Sequence, residues 1–390
     1  MQLLIKNARV FSPEDLGHQD ILCAGGRIIA IEKQINGQAL YGQVTVIDAL
    51  GRWLVPGFID CHQHFLGGGG EAGFASRTPE LTLTDQTLNG VTTALGLLGT
   101  DHLTRSLTSL YAKTMAFRQE GISAYMLTGS YFLPSPTITG NVMQDIAFME
   151  PVLGVKVAVS DHRGPFITED KLADLVAEVR NSALISGKAG IITVHTGGGK
   201  QGLKQLLRVL DNTDYQAERF VPTHINRADV WDDAVALAQR GAMIDGTAVS
   251  QAMIDAGRDG ITCAEATRRS IELGIAERFC FSSDAGGSLP KWNADRTAVI
   301  GMGVGKPCSL LEELRRGINE LGLTMSQMLR PITTNAAKQL KVADHKGQLQ
   351  VGFDADMLLL SPHDLQLSHT IARGQVLVAE GRAIAKGMFE

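Results

Sequence analysis

The sequence predicts an α/β protein: a (β/α)8 TIM-type barrel with a small β-sandwich domain that is built from both termini. Three observations support this fold class. Eight apolar, strand-like segments follow one another through the middle of the chain, helix-period segments separate most of them, and short alternating strand patterns occur at both ends. The length of 390 residues accommodates one large barrel and a smaller companion domain.

Both ends of the chain carry short strand patterns with glycine turns. The N-terminal part contains LLIKNARVF, DILCAGG, RIIAIEK and VTVIDALG, and the C-terminal part contains DADMLLLS and TIARGQVLVAEGRA. Chain termini often lie close together in folded domains. We therefore predict one discontinuous β domain formed by residues 1–54 and 344–390, with the barrel and its functional site in residues 55–343.

The middle of the chain alternates between strand and helix patterns. Two clear helix-period segments are TEDKLADLVAEVRNSALIS, which begins with a cap-forming Thr168, and RADVWDDAVALAQRG. A doubly wound open sheet is the alternative architecture, but no GxGxxG motif follows the first strand to support nucleotide binding there. The eight strand-like segments are LVPGFIDCH, VTTALGLLG, ISAYMLTGS, VLGVKVAVS, GIITVHT, FVPTHIN, AMIDGT and FCFSSDA.

Composition and charge narrow the classes of function. Charges of both signs are scattered along the chain with a formal net charge of -5, so no basic stripe indicates a nucleic-acid partner. Five cysteines without a CxxC pair predict buried free thiols in a reducing compartment. Lys6 and Arg9 interrupt any signal peptide, and no apolar run approaches the roughly 18 residues of a membrane span. We expect a cytoplasmic protein without membrane contact.

Two histidines follow the first predicted barrel strand. In GFIDCHQH, His62 and His64 are two residues apart, and side chains at that spacing in a strand point to the same side. Both imidazoles can therefore reach one ion. An isolated H-x-H pair is also common among exposed polar residues, but the position after an apolar strand and a Pro-Gly turn favours a metal site.

A lysine interrupts the fourth predicted strand. Lys156 lies in VLGVKVAVS, where an isolated ammonium would carry a large desolvation penalty unless it is paired or deprotonated. One interpretation is a lysine whose ammonium reaches solvent or pairs with a carboxylate. The other is a lysine carboxylated by CO2, whose two carbamate oxygens could bridge two cations. The sequence alone leaves both open.

Three further polar residues end predicted strands. His195 ends the fifth strand and His224 the sixth, and Asp284 follows the eighth. Each taken singly is more often structural, and a lone Asp there is usually a cap or turn residue. Together with the first histidine pair and Lys156, they fall at the face where barrel enzymes place their sites. Nitrogen and oxygen donors without thiolates suit zinc, with manganese, cobalt and iron as chemical alternatives.

The order H-x-H, Lys, His, His, Asp resembles that of the amidohydrolase superfamily, and more narrowly the chain resembles isoaspartyl (β-aspartyl) dipeptidases. The resemblance extends over nearly the whole chain. The H-x-H pair indicates only the superfamily, whereas GGGGEAG, SDHR and THINR indicate a much narrower group within it. The segments that carry the resemblance are PGFIDCHQH, GGGGEAG, RTPE, GLLGTD, MLTGSY, GVKVAVSDHR, PTHINR and SSDAGGS.

The resemblance implies hydrolysis of β-aspartyl dipeptides by a hydroxide held between two divalent metals, with zinc as the expected ion. The first histidine pair would hold one metal together with the aspartate, the other two histidines would hold the second, and the carboxylated lysine would bridge both. Asp284 would also act as general base and then acid, and Tyr131 would donate its hydroxyl to the developing oxyanion. The implied metal ligands are His62, His64, Lys156, His195, His224 and Asp284.

The resemblance also implies how substrate is held. Glu71, on a GGGGEAG loop whose glycines favour mobility, would pair with the substrate ammonium, and two arginines would bind its carboxylates through fork-like contacts. The alternatives are an ordinary surface ion-pair set for the charged residues and plain packing for the tyrosine. The implied substrate-binding residues are Glu71, Thr100, Tyr131, Arg163, Arg227 and Ser288.

Some features remain outside this scheme. Asp161 and His162 receive no role beyond that of neighbours to the ligands, and the run Thr196-Gly197-Gly198-Gly199 is more glycine-rich than the family pattern. The resemblance implies a homo-oligomer, an octamer. The alternative functions are another amidohydrolase, acting on cyclic amides or N-acyl amino acids, and a non-catalytic scaffold relative. Substrates of the first kind generally lack a free ammonium, so an acidic residue such as Glu71 would have little purpose in that enzyme. A scaffold relative would be recognised by the loss of metal ligands.

Overall fold

The N-terminal part of the chain forms strands that precede the barrel. A computed structural model of the protein describes residues 2–37, 40, 42–250, 260–293 and 299–390. The strand β1 pairs antiparallel with β2 and parallel with β4 and β5. These first strands are β1 Gln2–Phe11, β2 Asp15–Ala24, β3 Arg27–Glu32, β4 Val44–Asp48 and β5 Trp53–Pro56.

A sheet of eight parallel strands follows within the described residues, and each strand neighbours the next one along the chain. Gln63 of the first strand forms a parallel bridge with Ala285, which lies just after the last strand, and this bridge nearly closes the sheet into a barrel. Each of the eight predicted segments coincides with one barrel strand, and the first, LVPGFIDCH, also includes the end of β5, so the predicted fold class is confirmed. The strands are β6 Phe58–Gln63, β7 Val91–Gly96, β8 Ser123–Gly129, β9 Val152–Val159, β10 Ile191–Thr196, β11 Phe220–Thr223, β12 Ile244–Thr247 and β13 Phe279–Ser282.

Helices connect the barrel strands and cover their outer side. Thr168 caps the longest helix as predicted, because its side chain accepts a hydrogen bond from the backbone N–H of Lys171. The helices of the described residues are α1 Leu83–Thr87, α2 Leu107–Glu120, α3 Val142–Phe148, α4 Glu169–Ser186, α5 Lys204–Asp211, α6 Trp231–Gln239, α7 Cys263–Glu272, α8 Cys308–Asn319, α9 Met325–Leu329 and α10 Thr334–Gln339. Short 3-10 helices occur at Phe74–Ser76, Ala217–Arg219, Ala276–Arg278 and Arg330–Ile332.

The C-terminal strands return to the strands of the N-terminus. After a hairpin of β14 and β15, β16 pairs antiparallel with β5 along its whole length, with Leu359 opposite Leu54. Both ends of the chain thus contribute to one branched, hydrogen-bonded sheet. The domain limits at residues 54 and 344 stay a prediction, and β5 spans the first of them. The remaining strands are β14 Ser288–Trp292, β15 Val299–Val304, β16 Met357–Leu360, β17 Leu367–Ala372, β18 Gln375–Ala379 and β19 Arg382–Ala383.

Buried apolar side chains join the strands to the helices. Phe220 of β11 and Leu175 of α4 belong to the largest cluster, which runs between the barrel sheet and its helices. Near the second sheet, the buried ammonium of Lys346 forms ion pairs with Asp354 at 2.8 Å and Asp356 at 2.7 Å. None of the helices in the described ranges is both long and apolar enough to traverse a bilayer.

Candidate functional site

Buried polar side chains converge at the carboxyl ends of the barrel strands. His62 lies in β6 and His64 directly follows it, and the two side chains are buried with ring centroids 5.7 Å apart. The carboxylate atom Oδ1 of Asp284 lies 3.2 Å from Nε2 of His64 and 3.6 Å from Nε2 of His62. Nδ1 of each histidine is buried without a hydrogen-bond partner among the described residues. Oδ1 of Asp284, which faces the Nε2 atoms of both histidines, also has no hydrogen-bond partner among these residues, and a bound ion would satisfy this buried oxygen.

Two further histidines complete the cluster. The ring of His224 lies 5.2 Å from that of His62 and 4.7 Å from that of His195. Three potential ligand atoms lie within 4.8 Å of one another, one each from His62, His224 and Asp284. Burial lowers the pKa of His62 and of His224 well below the ordinary value, and lowers that of His195 to about 4. The rings are therefore neutral at pH 7, and each has a lone pair to offer a metal.

The backbone at two of these residues is strained. His224 has a φ of 63 and Asp284 a φ of 50, a left-handed conformation that non-glycine residues adopt rarely. Such strain persists where the surrounding structure holds it, and it is concentrated at functional sites. His224 and Asp284 follow the ends of β11 and β13, and both side chains lie in the cluster. The neutral imidazoles and the carboxylate, with no thiolate among them, fit a divalent ion such as zinc.

Lys156 lies inside the cluster. Its side chain is 1% exposed, and Nζ lies 3.1 Å from Nε2 of His62. The interpretation of an ammonium that reaches solvent is therefore wrong, and among the described residues no carboxylate forms an ion pair with Nζ. Burial lowers the pKa of Lys156 to about 7, against the opposing charges of Asp284 and Asp245. A substantial fraction of this amine is consequently neutral at pH 7.

Tyr131 and Asp161 contact His195 from two sides. The hydroxyl of Tyr131 lies 2.7 Å from Nδ1 of His195, and Oδ2 of Asp161 lies 2.8 Å from Nε2. Burial raises the pKa of Tyr131 well above its ordinary value, so its hydroxyl stays protonated at neutral pH. Plain packing does not describe Tyr131, because its polar atom reaches the cluster. His162 points away: its side chain is 91% exposed and only approaches Asp161, at 3.8 Å.

A narrow cavity of about 50 Å³ opens above the histidines. At its mouth Oε1 of Glu71 accepts a hydrogen bond from Nη1 of Arg163 at 3.1 Å, and the hydroxyls of Ser288 and Thr100 lie 3.3 Å and 3.5 Å from the Glu71 carboxylate. The side chains that line the cavity are those of His64, Glu71, Thr100, Asp101, Arg105, Tyr131, Arg163, His195, His224, Asp284 and Ser288, together with several glycines. Most of the predicted substrate residues therefore share one cavity.

The two predicted arginines differ in their contacts. Asp161 accepts hydrogen bonds from Nε and Nη2 of Arg163, so the forked edge of this guanidinium is occupied and Nη1 remains directed to Glu71. Arg227 does not line the cavity: Asp229 holds its Nε and Nη2, and backbone carbonyls accept from Nη1 and Nη2. A fork-like contact of either arginine with substrate would require these partners to be exchanged.

Sequence reasoning did not identify Arg105 and Asp101 as cavity residues. Arg105 is 4% exposed and donates to the carbonyls of Leu66, Gly68 and Thr78 as well as to Asp101. These bonds hold the segment that leads to Glu71. The motif GLLGTD contains Asp101, but nothing in the residues around Arg105 indicated that it would reach this segment.

The glycines of the same segment have a packing reason. Gly67 has a φ of +76, and a Cβ there would lie 2.3 Å from the carbonyl oxygen of Thr78. Gly69 has a φ of +73, and its Cβ would lie 2.4 Å from the carbonyl oxygen of Ser76. Glycine is required at both positions by close backbone approach as well as by conformation.

The chain is similar in sequence and in structure to several known proteins. The sequence model of the amidohydrolase family matches residues 53–388. The structure of a β-aspartyl dipeptidase from Fervidobacterium islandicum AW-1, solved in complex with the β-Asp-Leu dipeptide, has a TM-score of 0.91 with 37% sequence identity, covering 98% of this chain and 97% of that one. An imidazolonepropionase from Psychromonas ingrahamii is 23% identical over 95% of this chain and 96% of its own length. An L-hydantoinase from Arthrobacter aurescens shares the fold, with 18% identity and a TM-score of 0.70 over 99% of this chain and 98% of that one.

Proposed function

This chain belongs to the amidohydrolase family, and on that basis we propose that it is a metal-dependent hydrolase of β-aspartyl (isoaspartyl) dipeptides. One observation carries the proposal. A carboxylate and a guanidinium, Glu71 and Arg163, face each other at 3.1 Å in the mouth of a cavity whose floor is a cluster of buried histidines. The similarity to a β-aspartyl dipeptidase with bound β-Asp-Leu supports the same assignment.

The charges of the substrate match this mouth. A β-aspartyl dipeptide has an α-ammonium and an α-carboxylate on its first residue and a second carboxylate at its C-terminus. The ammonium would replace Arg163 as partner of Glu71, and a carboxylate would take the freed Nη1 of Arg163. Each charge keeps a partner during this exchange, so the cost of leaving an ion unpaired is avoided. Ser288 and Thr100 would add hydroxyl contacts, and we propose Arg227 as the residue that meets the second carboxylate.

The buried donors would hold two divalent ions, with zinc as the preferred metal. His62, His64 and Asp284 would bind the first and His195 and His224 the second. When bound, the ions supply Lewis-acid chemistry that makes water nucleophilic at neutral pH and polarises the scissile carbonyl.

Lys156 would bridge the two ions after carboxylation. Its neutral amine forms a bond to the carbon of CO2 and loses one proton, which leaves an N-carboxylate with two oxygen donors. The burial that lowers the pKa of Lys156 to about 7 provides the neutral amine that this reaction needs.

Asp284 would transfer the proton, and Tyr131 would stabilise the developing negative charge. Burial raises the pKa of Asp284, but hydrogen bonding to His64 and the neighbouring His224 outweigh this effect and lower the pKa below its ordinary value. Asp284 is therefore ionised and can accept a proton from the attacking water, then deliver it to the leaving amine. The protonated hydroxyl of Tyr131 can donate to the oxyanion of the tetrahedral intermediate.

The proposal is tested by assaying β-Asp-Leu and α-Asp-Leu in parallel, with untreated, chelator-treated and zinc-restored protein. We expect cleavage of the β-linked peptide only, abolished when the metal is removed and regained with zinc. Metal-dependent cleavage of a hydantoin or an N-acyl amino acid, with neither dipeptide cleaved, would overturn the substrate assignment. Protein that neither retains nor takes up metal would instead be a scaffold relative. Cytoplasmic location and a homo-oligomeric, octameric state remain predictions from the sequence.

A further inference from the structure

Asp161 connects the histidine cluster to the cavity mouth, although the sequence assigns it no role beyond that of a neighbour to the ligands. Its side chain is 3% exposed. Oδ2 lies 2.8 Å from Nε2 of His195 and accepts from Nη2 of Arg163 at 2.7 Å, while Oδ1 accepts from Nε of Arg163 at 2.9 Å. One carboxylate thus contacts a residue of the histidine cluster and a residue of the cavity mouth.

These contacts determine which nitrogen of His195 carries the proton. The guanidinium of Arg163 donates two hydrogen bonds to Asp161 and the backbone N–H of Arg163 donates a third, and these contacts hold the group as a carboxylate. An ionised carboxylate only accepts hydrogen bonds, and a neutral imidazole has one donor and one acceptor nitrogen. Nη2 of Arg163 also lies 3.3 Å from Nε2 of His195, but it donates to Asp161 at the shorter distance of 2.7 Å, and the carboxylate is the nearer partner of Nε2. Nε2 of His195 is therefore the donor, and Nδ1 carries the lone pair. Nδ1 faces the hydroxyl of Tyr131 at 2.7 Å, on the side of the cavity.

The glycine run after His195 allows Asp161 to approach. A Cβ on Gly197 would lie 2.5 Å from Cα and from Cβ of Asp161, whereas a Cβ on Gly198 would meet no atom within 4 Å. Glycine at position 197 therefore allows the backbone after β10 to lie against the segment that carries Asp161. A side chain at position 197 would push the carboxylate away from the imidazole.

We propose that Asp161 is a positioning residue that fixes the Nε2-protonated tautomer of His195, so that Nδ1 is presented to the metal site, while the same carboxylate orients Arg163 toward Glu71. The inference rests on the proposed function for the presence of metal. Carboxylates that accept the second N–H of a ligating histidine orient the ring and increase its basicity, and their loss typically weakens metal binding 10- to 100-fold. A carboxylate that serves Arg163 alone would have no such effect.

Metal affinity separates the two roles. Zinc affinity is measured by competition with a chromophoric chelator for the wild type, Asp161→Ala, Asp161→Asn and Arg163→Met, with a thermal melt as the check on folding. We expect Asp161→Ala to bind zinc roughly 10- to 100-fold more weakly. Asp161→Asn should recover part of the affinity, because its amide oxygen still accepts from Nε2. Arg163→Met should stay within about twofold of the wild type in zinc affinity and should mainly raise KM.

A second measurement needs neither metal nor activity. The ¹⁵N spectrum of the 10 histidines of metal-free protein reports the protonated nitrogen of each ring, and His195→Gln identifies the signal of His195. We expect that signal to show protonation at Nε2 in the wild type and a mixture of tautomers in Asp161→Ala. Gly197→Ala should resemble Asp161→Ala, and Gly198→Ala should resemble the wild type.

Wild-type zinc affinity in Asp161→Ala together with an unchanged His195 signal would overturn the inference, as would an equal loss of affinity in Arg163→Met. If the wild type itself binds no zinc, the proposed function fails, and the tautomer measurement still decides the role of Asp161. The two failures are therefore distinguishable.

Discussion

Replacing Glu71 by Gln removes one negative charge from the cavity mouth while it preserves the shape of the side chain. Glu71 is held among the hydroxyls of Ser288 and Thr100 and the guanidinium of Arg163, and its side chain is 27% exposed. If the substrate ammonium occupies the place of Arg163, the substitution weakens a hydrogen bond between two ions. Such a bond is worth about 1.5–3 kcal/mol, which corresponds to a roughly 10- to 150-fold fall in kcat/KM.

This hydrogen bond does not involve the reacting atoms, so the effect should appear mainly as a higher KM with kcat little changed. Initial rates of β-Asp-Leu hydrolysis over a range of concentrations measure both constants. N-acetyl-β-Asp-Leu lacks the ammonium, so the preference of the enzyme for β-Asp-Leu over this analogue should shrink by the same factor in Glu71→Gln.

Glu150→Gln is the matched control, because this exposed glutamate pairs with Arg118 outside the cavity. Its kinetics should equal those of the wild type. Wild-type rates in Glu71→Gln, or a decrease that is equally large for the acetylated substrate, would refute ammonium recognition by Glu71.

Two further predictions concern stability. Gly67→Ala combines left-handed strain with a clash against Thr78. Gly73→Ala is the control: its φ of +96 is also strained, at about 1–2 kcal/mol, but its Cβ would meet no atom within 4 Å. Gly67→Ala should therefore lower the denaturation midpoint well beyond Gly73→Ala, and equal midpoints would contradict the packing argument. Lys346→Met should cost about 3–5 kcal/mol in urea unfolding at pH 8, because it removes the buried cation from Asp356 and leaves Asp354 with only the more distant Arg27, at 3.9 Å. Burial lowers the pKa of Lys346, but the two carboxylates raise it overall. The stabilisation of the fold by these ion pairs is therefore fully present below about pH 10.4, and it is lost as pH rises through the folded-state pKa of Lys346. The stability difference between wild type and Lys346→Met should therefore shrink above that pH, and a difference independent of pH would refute this account.

The sequence was sufficient for the barrel because its strands are parallel and buried on both faces. Such strands consist of nearly continuous apolar residues, so a polar residue inside or at the end of one is conspicuous. Lys156 and His195 were found in this way, since each interrupts or ends an apolar run. The structure adds that both are buried and lie beside the other histidines.

The partners of the charged side chains could not be predicted in the same way. Asp161 and His195 lie in different strand-to-helix segments, and their contact depends on the path of both loops. Arg163 and Arg227 were predicted to offer forks to substrate, but the sequence does not show that Asp161 and Asp229, each two residues away, take those positions. Residue type defines which bonds a side chain can form, whereas loop geometry decides which of them it does form.

The sheet shared by the two chain ends has a consequence for how the protein is made. Leu54 and Leu359 pair across about 300 residues of intervening chain, so β5 emerges from a ribosome long before its partner exists. Pairings of such high contact order form late, and until then the edge of β5 can pair with strands of other chains. Synthesis that stops before β16 would leave this edge permanently open. Chains that are still refolding can therefore associate through this edge. The yield of refolding should fall as protein concentration rises, even though the folded protein is stable at the same concentrations.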